Sequence, residues 1–126
     1  MIVEDDKMLC RIFEMFLTDL GYEVTGFFPD GDSAIACCME NHPDVILMDI
    51  HLKGDKTGFE TAKIILEKFD IPIIYLTGDN REDTIKETIF SNIYGYLLKP
   101  TTKIVLNTAI EFAYHRHRFD QSMRKT

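Results

Sequence analysis

The chain has 126 residues, 45% of them hydrophobic and 28% charged, which is typical of one small globular domain. Its 21 acidic side chains outnumber 14 lysines and arginines, and the formal net charge of -7 disfavours direct nucleic-acid binding, which needs a basic surface. The sequence has neither an apolar stretch near the roughly 20 residues of a membrane span nor a signal-peptide pattern. Three cysteines, two of them adjacent, favour reduced thiols over a disulfide framework. The composition therefore predicts a cytoplasmic protein without a membrane or nucleic-acid partner.

Apolar runs alternate with helix-period segments from the start of the chain. Residues 1–3 are predicted as a first strand, and residues 7–20 show the i, i+3, i+4 apolar spacing of an amphipathic helix that ends at Gly21. Residues 22–28 are predicted as a second strand. A turn follows, in which Asp30 or Asp32 can cap a helix that runs to about residue 41 and buries Cys38. Residues 44–49 are predicted as a third strand, buried on both faces.

The second half repeats the alternation. It has a loop over residues 50–57, a helix over about 59–69, a strand that ends at residue 77, a short helix over about 85–92, a strand that ends at residue 98 and a last helix after Pro100. That helix carries the apolar residues Val105, Leu106, Ala109, Ile110 and Ala113. Val105 and Ala109 also start an apolar stripe and are predicted to be buried, whereas Phe112 and Phe119, at its edge, indicate a partner or self-association surface. The domain is predicted to span residues 1–118, with 119–126 as a polar tail or the start of a linker.

Alternating strands and helices favour parallel strands joined by right-handed crossovers. The predicted fold is α/β: a doubly wound, five-stranded parallel sheet in the order 2-1-3-4-5 with five flanking helices, which is flavodoxin-like. The first strand has only three residues before the acids, whereas a strand is usually about 5–6 residues long. We therefore expect the native chain to begin a few residues before Met1.

Each of four apolar runs stops at a polar or charged residue. The carboxyl ends of parallel strands meet at one edge of the sheet, where the ligand crevice lies. The residues expected to share this crevice are Glu4, Asp5 and Asp6 after the first run, then Asp49, Thr77 and Lys99. Taken singly, each residue has an ordinary role as a cap or a solvated charge, but their joint placement favours a site.

The residue types in this crevice suit phosphoryl transfer. Clustered carboxylates repel one another and need a cation to offset their charge, and hard oxygen ligands suit Mg²⁺. Lys99 adds a fixed positive charge and Thr77 adds a hydroxyl, which suit a phosphoryl group with charge spread over its oxygens. A carboxylate at the end of a rigid strand can act as the nucleophile and form an aspartyl-phosphate.

Four segments together resemble the receiver domain of response regulators, the CheY-like family: V-E-D-D, D-V-I-L-M-D-I, Y-L-T-G-D and G-Y-L-L-K-P. The resemblance extends from residue 1 to about residue 118. It implies that Asp49 is the phosphoacceptor and that Mg²⁺ is held by Glu4, Asp5, Asp49 and the backbone carbonyl of His51. The run of three acids leaves the register open by one residue. Counting back from Gly21 favours Asp5 as the direct metal ligand, with Asp6 starting the helix.

The resemblance also implies a switch and partners. Thr77 matches the switch hydroxyl, Lys99 the phosphate-contacting lysine and Tyr96 the switch aromatic, and Lys99-Pro100 is expected to be cis. The switching surface comprises the fourth helix, the fifth strand and the last helix, through which a homodimer is expected. The phosphoryl donor is a sensor histidine kinase or a phosphotransfer protein. Such a domain catalyses only its own phosphorylation and dephosphorylation, so it is not an enzyme toward an external substrate.

The sequence departs from the family pattern in two places, and two other classes compete with it. The loop after Asp49 is one residue longer than usual, and Gly78 stands where Ala is common. One alternative is a non-phosphorylated pseudo-receiver that acts as an interaction module, which would need a missing acid, Thr or Lys. The other is a haloacid-dehalogenase-type phosphohydrolase, but Asp49-Ile50-His51 lacks the second Asp of its D-x-D motif.

Overall fold

The computed structural model describes residues 1–78 and 94–124 and contains one parallel sheet. The strand order β2-β1-β3-β4-β5 confirms the predicted topology. Every neighbouring pair of strands is parallel. The strands are β1 (Ile2–Val3), β2 (Phe27–Phe28), β3 (Ile46–Asp49), β4 (Ile73–Thr77) and β5 (Gly95–Leu98).

Four helices flank this sheet in the described ranges, and each begins at a side-chain cap; in the last of them Thr102 Oγ1 accepts the Val105 amide at 3.2 Å. They are α1 (Lys7–Asp19), α2 (Gly31–Glu40), α3 (Gly58–Lys68) and the C-terminal helix (Lys103–Arg124). Asp6 caps α1, Asp30 caps α2, and Thr57 forms a capping box with Glu60 at the start of α3. The helix predicted over residues 85–92 lies outside the described residues.

The sheet is buried on both faces, which explains why its strands consist of continuous apolar runs. Side chains alternate between two core layers. The first layer joins the sheet to α2 and α3 and includes Val3, Met48, Tyr75, Cys38 and Ile65. The second layer joins it to α1 and the C-terminal helix and includes Ile2, Leu47, Ile74, Phe13 and Leu106. The prediction that Cys38 is buried is confirmed.

The second strand is shorter than predicted. Only Phe27 and Phe28 pair with β1, and residues 22–26 lie outside any strand. A strand needs a partner for its backbone hydrogen bonds, and β1 offers only Ile2 and Val3. The apolar pattern of residues 22–28 cannot reveal this limit, because the length of the neighbouring strand sets it.

The buried face of the C-terminal helix includes three of the five apolar residues predicted to mark it, Leu106, Ile110 and Ala113. Val105, predicted to be buried, is 49% exposed, and the core contacts are made by Leu106, Ile110, Ala113 and His117. Ala109 is partly buried against the second core layer. The prediction for Val105 was wrong because a shift of one residue turns a helix by about 100°.

The C-terminal helix continues past residue 118 as far as Arg124. Side chains from its last two turns converge on Asp70, which lies between α3 and β4. His117 Nε2 lies 2.8 Å from Asp70 Oδ1, Gln121 donates to Asp70 Oδ2 at 3.2 Å and Arg124 donates to the same oxygen at 2.8 Å. These contacts stabilise residues that composition alone assigns to a polar tail.

None of the helices in residues 1–78 and 94–124 combines the length and the apolar character that a bilayer span requires.

Candidate functional site

The structure brings residues at the ends of β3 and β4, and residues just after β1 and β5, to one edge of the sheet. Asp49, the last residue of β3, is in register with Leu76, and Thr77, the last residue of β4, is in register with Leu98. The Lys99 amide donates to the Thr77 carbonyl oxygen at 2.7 Å. The strand register therefore aligns residues that are far apart in the sequence.

Lys99 links two buried carboxylates. Its Nζ donates to Glu4 Oε1 at 2.8 Å and to Asp49 Oδ2 at 3.1 Å. Burial by itself lowers the pKa of Lys99, but the hydrogen bond to Glu4 and the charge of Asp49 outweigh it, and the pKa lies above its ordinary value. Lys99 is therefore a permanent positive charge at this edge.

The three acids after β1 take different positions. Glu4 is buried, and its Oε2 accepts the amides of Asp5 at 3.0 Å and Asp6 at 3.1 Å. Asp6 is exposed and uses Oδ1 to cap α1, accepting the amides of Met8 at 3.0 Å and Leu9 at 3.2 Å. The expectation that Asp6 starts the helix is confirmed. This arrangement leaves Glu4 and Asp5, rather than Asp6, beside Asp49.

The acids next to Lys99 form a suitable donor set for a hard divalent cation. One carboxylate oxygen from each of Glu4, Asp5 and Asp49 lies within 4.8 Å of the others. Mg²⁺ is commonly bound by one or two carboxylates with water in its remaining positions. Three carboxylates beside one ammonium leave excess negative charge, which a divalent cation offsets. The residues present therefore fit Mg²⁺.

Asp49 is held on the side away from Lys99 by the loop that follows it. Its Oδ1 accepts the His51 amide at 3.0 Å, and the Ile50 carbonyl accepts the Gly58 amide at 2.8 Å. A Cβ at Gly58 would collide with the Asp49 carbonyl oxygen and the Ile50 Cα. Gly58 therefore lets α3 begin against the backbone of Asp49. Sequence reasoning missed this role, although the capping box starting at Thr57 is a readable signal.

The two predicted switch residues lie on β4 and β5. Thr77 is fully buried, and Tyr96 is partly buried, packs against the first core layer and is in register with Tyr75. The Lys99-Pro100 peptide is cis, as predicted. The His51 side chain is exposed.

Cys10 lies next to the acidic cluster and was not identified from the sequence as a neighbour of it. Its Sγ donates to the Glu4 carbonyl oxygen at 3.5 Å. Burial raises the pKa of Cys10 to about 11, and the charges of Glu4, Asp6 and Asp5 add to this effect. The thiol is therefore protonated at neutral pH, and it is a poor nucleophile there.

A doubly wound sheet with acids, a hydroxyl and a lysine at its carboxyl edge defines the class of the protein as a receiver-type signalling domain. The family model described as the response regulator receiver domain matches residues 1–111. The chain belongs to this family, whose members act in two-component signalling.

Named relatives agree with this assignment. The chain is 30% identical over 118 residues to the transcriptional regulatory protein PdtaR of Mycobacterium tuberculosis. The match covers 94% of this chain and 57% of PdtaR, so the chain spans just over half the length of that relative.

Two solved receiver structures show the same fold. The signal receiver domain of a modulated diguanylate cyclase from Desulfovibrio desulfuricans is 34% identical, with a TM-score of 0.88 and 94% of each chain covered. The N-terminal domain of a response regulator/sensory box/GGDEF three-domain protein from Carboxydothermus hydrogenoformans is 30% identical, with a TM-score of 0.86. The second match covers 94% of this chain and 95% of the other.

Proposed function

We propose that Asp49 accepts a phosphoryl group from the phosphohistidine of a partner sensor histidine kinase or phosphotransfer protein, in a Mg²⁺-dependent reaction in the cytoplasm. The observation that carries this proposal is the Lys99 ammonium between Glu4 and Asp49, beside a third carboxylate from Asp5. Such a cluster combines a strand-end nucleophile with groups that can bind a metal and phosphoryl oxygens.

The metal would be held by Glu4, Asp5, Asp49 and the backbone carbonyl of His51. When bound, Mg²⁺ supplies positive charge that offsets the repulsion between these acids and the incoming phosphoryl oxygens. A carboxylate oxygen of Asp49 forms the new bond to phosphorus as the bond from phosphorus to the donor imidazole breaks. Lys99 lies close enough to Asp49 to contact the transferred phosphoryl group and to pair with its negative charge.

The switch proposed for this domain uses Thr77 and Tyr96. The Thr77 hydroxyl moves toward the new phosphoryl group, and the Tyr96 ring fills the space this opens. The change favours one of two packing arrangements and remodels the surface near β5 and the C-terminal helix. The domain acts only on its own phosphoryl bond, without turnover of an external substrate.

The direct test is phosphorylation by a small donor. With Mg²⁺ and acetyl phosphate, we expect the protein to gain the mass of one phosphoryl group and to lose it in neutral hydroxylamine, which cleaves acyl phosphates. Asp49→Asn should gain no mass because it lacks the nucleophile. Intact-mass spectrometry measures both results.

Matched variants of two neighbouring acids test which of them binds the metal. Asp5→Asn should lose most phosphorylation because it removes a metal ligand, whereas Asp6→Asn should keep it because Asp6 only caps α1. Equal phosphorylation of wild type and Asp49→Asn would exclude Asp49 as the phosphoacceptor. No phosphorylation of the wild type, by acetyl phosphate or by any kinase, would favour the pseudo-receiver.

A further inference from the structure

The loop between β3 and α3 begins at the phosphoryl site and is closed at its base. The Gly58 amide donates to the Ile50 carbonyl oxygen at 2.8 Å, which joins the point where the loop leaves β3 to the point where it enters α3. The His51 amide donates to Asp49 Oδ1 at 3.0 Å. The path of this loop sets the direction of the His51 carbonyl, because a main-chain carbonyl is oriented only by the φ and ψ angles of the chain.

The middle of the loop packs against the start of α2. Leu52 is partly buried and contacts the first core layer, and Lys53 pairs with Asp30 through a parallel backbone bridge. Gly54 then adopts a left-handed conformation with a φ of 96°, which glycine tolerates better than other residues. A Cβ at Gly54 would lie 3.7 Å from Asp30 Cβ, so the loop reverses its direction directly beside the N-cap of α2.

An ion pair fastens the last part of the loop to α2. Lys56 Nζ donates to Asp32 Oδ1 at 2.6 Å, and the two side chains are 29% and 68% exposed. The hydrogen bond to Asp32 and the negative charge of that residue raise the pKa of Lys56. A Cβ at Gly31 would lie 3.2 Å from Lys56 Cβ and would collide with Thr61 Oγ1 on α3. The loop, the start of α2 and the first turn of α3 therefore pack as one unit.

We propose that Asp32 and Lys56 are positioning residues of the phosphoryl site, whose ion pair holds the loop so that the His51 carbonyl stays in place for the divalent cation. This role rests on the proposed function, because it refers to the metal site described there. The two residues act through the backbone of the loop. An exposed ion pair contributes little to the stability of a whole fold, so its loss should loosen the loop while the sheet and the helices stay intact.

The sign of the effect on cation binding separates positioning from general electrostatics. Removing the positive charge of Lys56 would strengthen cation binding if only the charge of the protein mattered. Positioning gives the opposite result, since the loop loses an anchor. Asp32 cannot make this distinction, because both effects weaken binding when its negative charge is removed. Lys56→Met is therefore the decisive variant, and Lys53→Met is its matched control, which removes the same charge from an exposed position on the same loop.

Binding of Mn²⁺ to the full chain, followed by electron paramagnetic resonance, measures this effect without phosphoryl transfer. Mn²⁺ takes oxygen ligands as Mg²⁺ does, and its signal is largely lost when it binds to a protein. We expect the dissociation constant to rise about two- to fivefold in Lys56→Met, which is the range that an exposed ion pair can supply. Lys56→Arg should bind like the wild type, and Lys53→Met should bind as tightly as the wild type or more tightly.

A double variant tests whether the two residues act as a pair. Asp32→Asn/Lys56→Met should weaken Mn²⁺ binding by less than the product of the two single effects, because both substitutions break the same contact. Effects that multiply, or a Lys56→Met protein that binds as tightly as the wild type, would overturn the positioning role. A wild type that binds no Mn²⁺ would overturn the metal site itself, and the positioning role with it.

Hydrogen exchange of the metal-free protein tests whether the loop itself loosens. The amides of His51 and Gly58 donate the hydrogen bonds at the base of the loop, and both should exchange faster in Lys56→Met than in Lys56→Arg. The amide of Leu47, on β3, should keep its wild-type rate because the sheet is unaffected. Unchanged exchange of His51 and Gly58 in Lys56→Met would show that the ion pair does not hold the loop, and would contradict the proposal.

Discussion

At the scale of single residues, the functional site is a collection of charges that disfavours folding without a cation. Glu4, Asp5 and Asp49 lie together beside Lys99, and two of these acids are buried. Like charges at this distance repel, so these functional acids are expected to lower the free energy of unfolding. The free energy of unfolding should therefore increase when one carboxylate is removed or when a metal ion binds.

We predict that Asp5→Asn stabilises the protein against unfolding by about 1 kcal/mol in the absence of divalent cations, because it removes one repelling charge. Mg²⁺ should raise the melting temperature of the wild type, since a ligand that binds only the folded state stabilises it. The same addition should change Asp5→Asn much less. Thermal unfolding followed by circular dichroism, with and without Mg²⁺, measures both effects.

Glu14→Gln is the control for the Asp5 variant, because it removes one negative charge from an exposed position on α1. It should leave both the metal-free stability and the response to Mg²⁺ close to those of the wild type. If both substitutions raised stability equally, general charge repulsion would explain the effect and the local cluster would not.

At the scale of single elements, the start of α3 depends on one glycine. We predict that Gly58→Ala destabilises the protein by about 1–3 kcal/mol and slows phosphorylation, because the added methyl group pushes α3 away from Asp49 and Ile50. Gly78→Ala is the matched substitution, since a Cβ there meets no atom of residues 1–78 and 94–124 within 4 Å. Urea unfolding compares the two. A Gly58→Ala protein as stable as Gly78→Ala would show that the backbone adjusts without cost.

The end of the C-terminal helix depends on Asp70. The hydrogen bond from His117 lowers the pKa of Asp70 more than partial burial raises it, and Gln121 and Arg124 lower it further. A group with a lowered folded-state pKa contributes stability above its unfolded pKa, near 3.8, and this contribution is lost as the pH falls through the folded value. The docking of the helix end should therefore weaken only in acid.

We predict that Asp70→Asn lowers stability at pH 6 by about 1 kcal/mol or less, because the carboxylate is half exposed and its ion pairs are screened. The difference from wild type should shrink as the pH falls below 3.8 and disappear below the lowered folded-state pKa of Asp70, where the carboxyl group is protonated. Asp55→Asn, on an exposed loop, is the control. Melting curves at several pH values give the comparison, and a difference that persisted in acid would point to packing instead of charge.

The strands and helices differ in how well the sequence alone predicts them. β3 and β4 are buried on both faces, and their continuous apolar runs make them recognisable from the sequence. β2 is shorter than its pattern because pairing is set by β1. The last turns of the C-terminal helix depend on a contact between Asp70 and His117, 47 residues apart, and no local signal encodes that contact. The role of Gly58 likewise depends on where the loop after Asp49 passes.

At the scale of the whole molecule, the candidate site was predictable because the sheet topology alone brings most of its residues together. Once the strands are parallel and in the order 2-1-3-4-5, their carboxyl ends must share one edge. Glu4, Asp49 and Lys99 then meet without any further information. The hydrogen bonds that orient them, such as the two backbone amides on Glu4, depend on atomic positions that a residue pattern does not encode.

The same topology connects the site to the exposed face of the C-terminal helix. Lys99 contacts Asp49 and directly follows β5, and the helix that carries the exposed Phe112 and Phe119 begins four residues later at Lys103. Tyr96 lies on β5 just before Lys99. A change in packing around Tyr96 can therefore alter the position of the C-terminal helix. Any such coupling must be reciprocal, because two equilibria that share one conformational change are linked.

We predict that beryllofluoride with Mg²⁺, a mimic of the phosphoryl group, strengthens self-association of the wild type. A coupling of typical size would lower the dissociation constant by about 5- to 150-fold. Tyr96→Ala should still bind the mimic at Asp49 but lose most of this strengthening, because the ring that transmits the change is gone. Asp49→Asn should show no response at all. Sedimentation of the three proteins with and without the mimic makes the comparison. An unchanged wild-type dissociation constant would show that self-association does not depend on phosphorylation of Asp49.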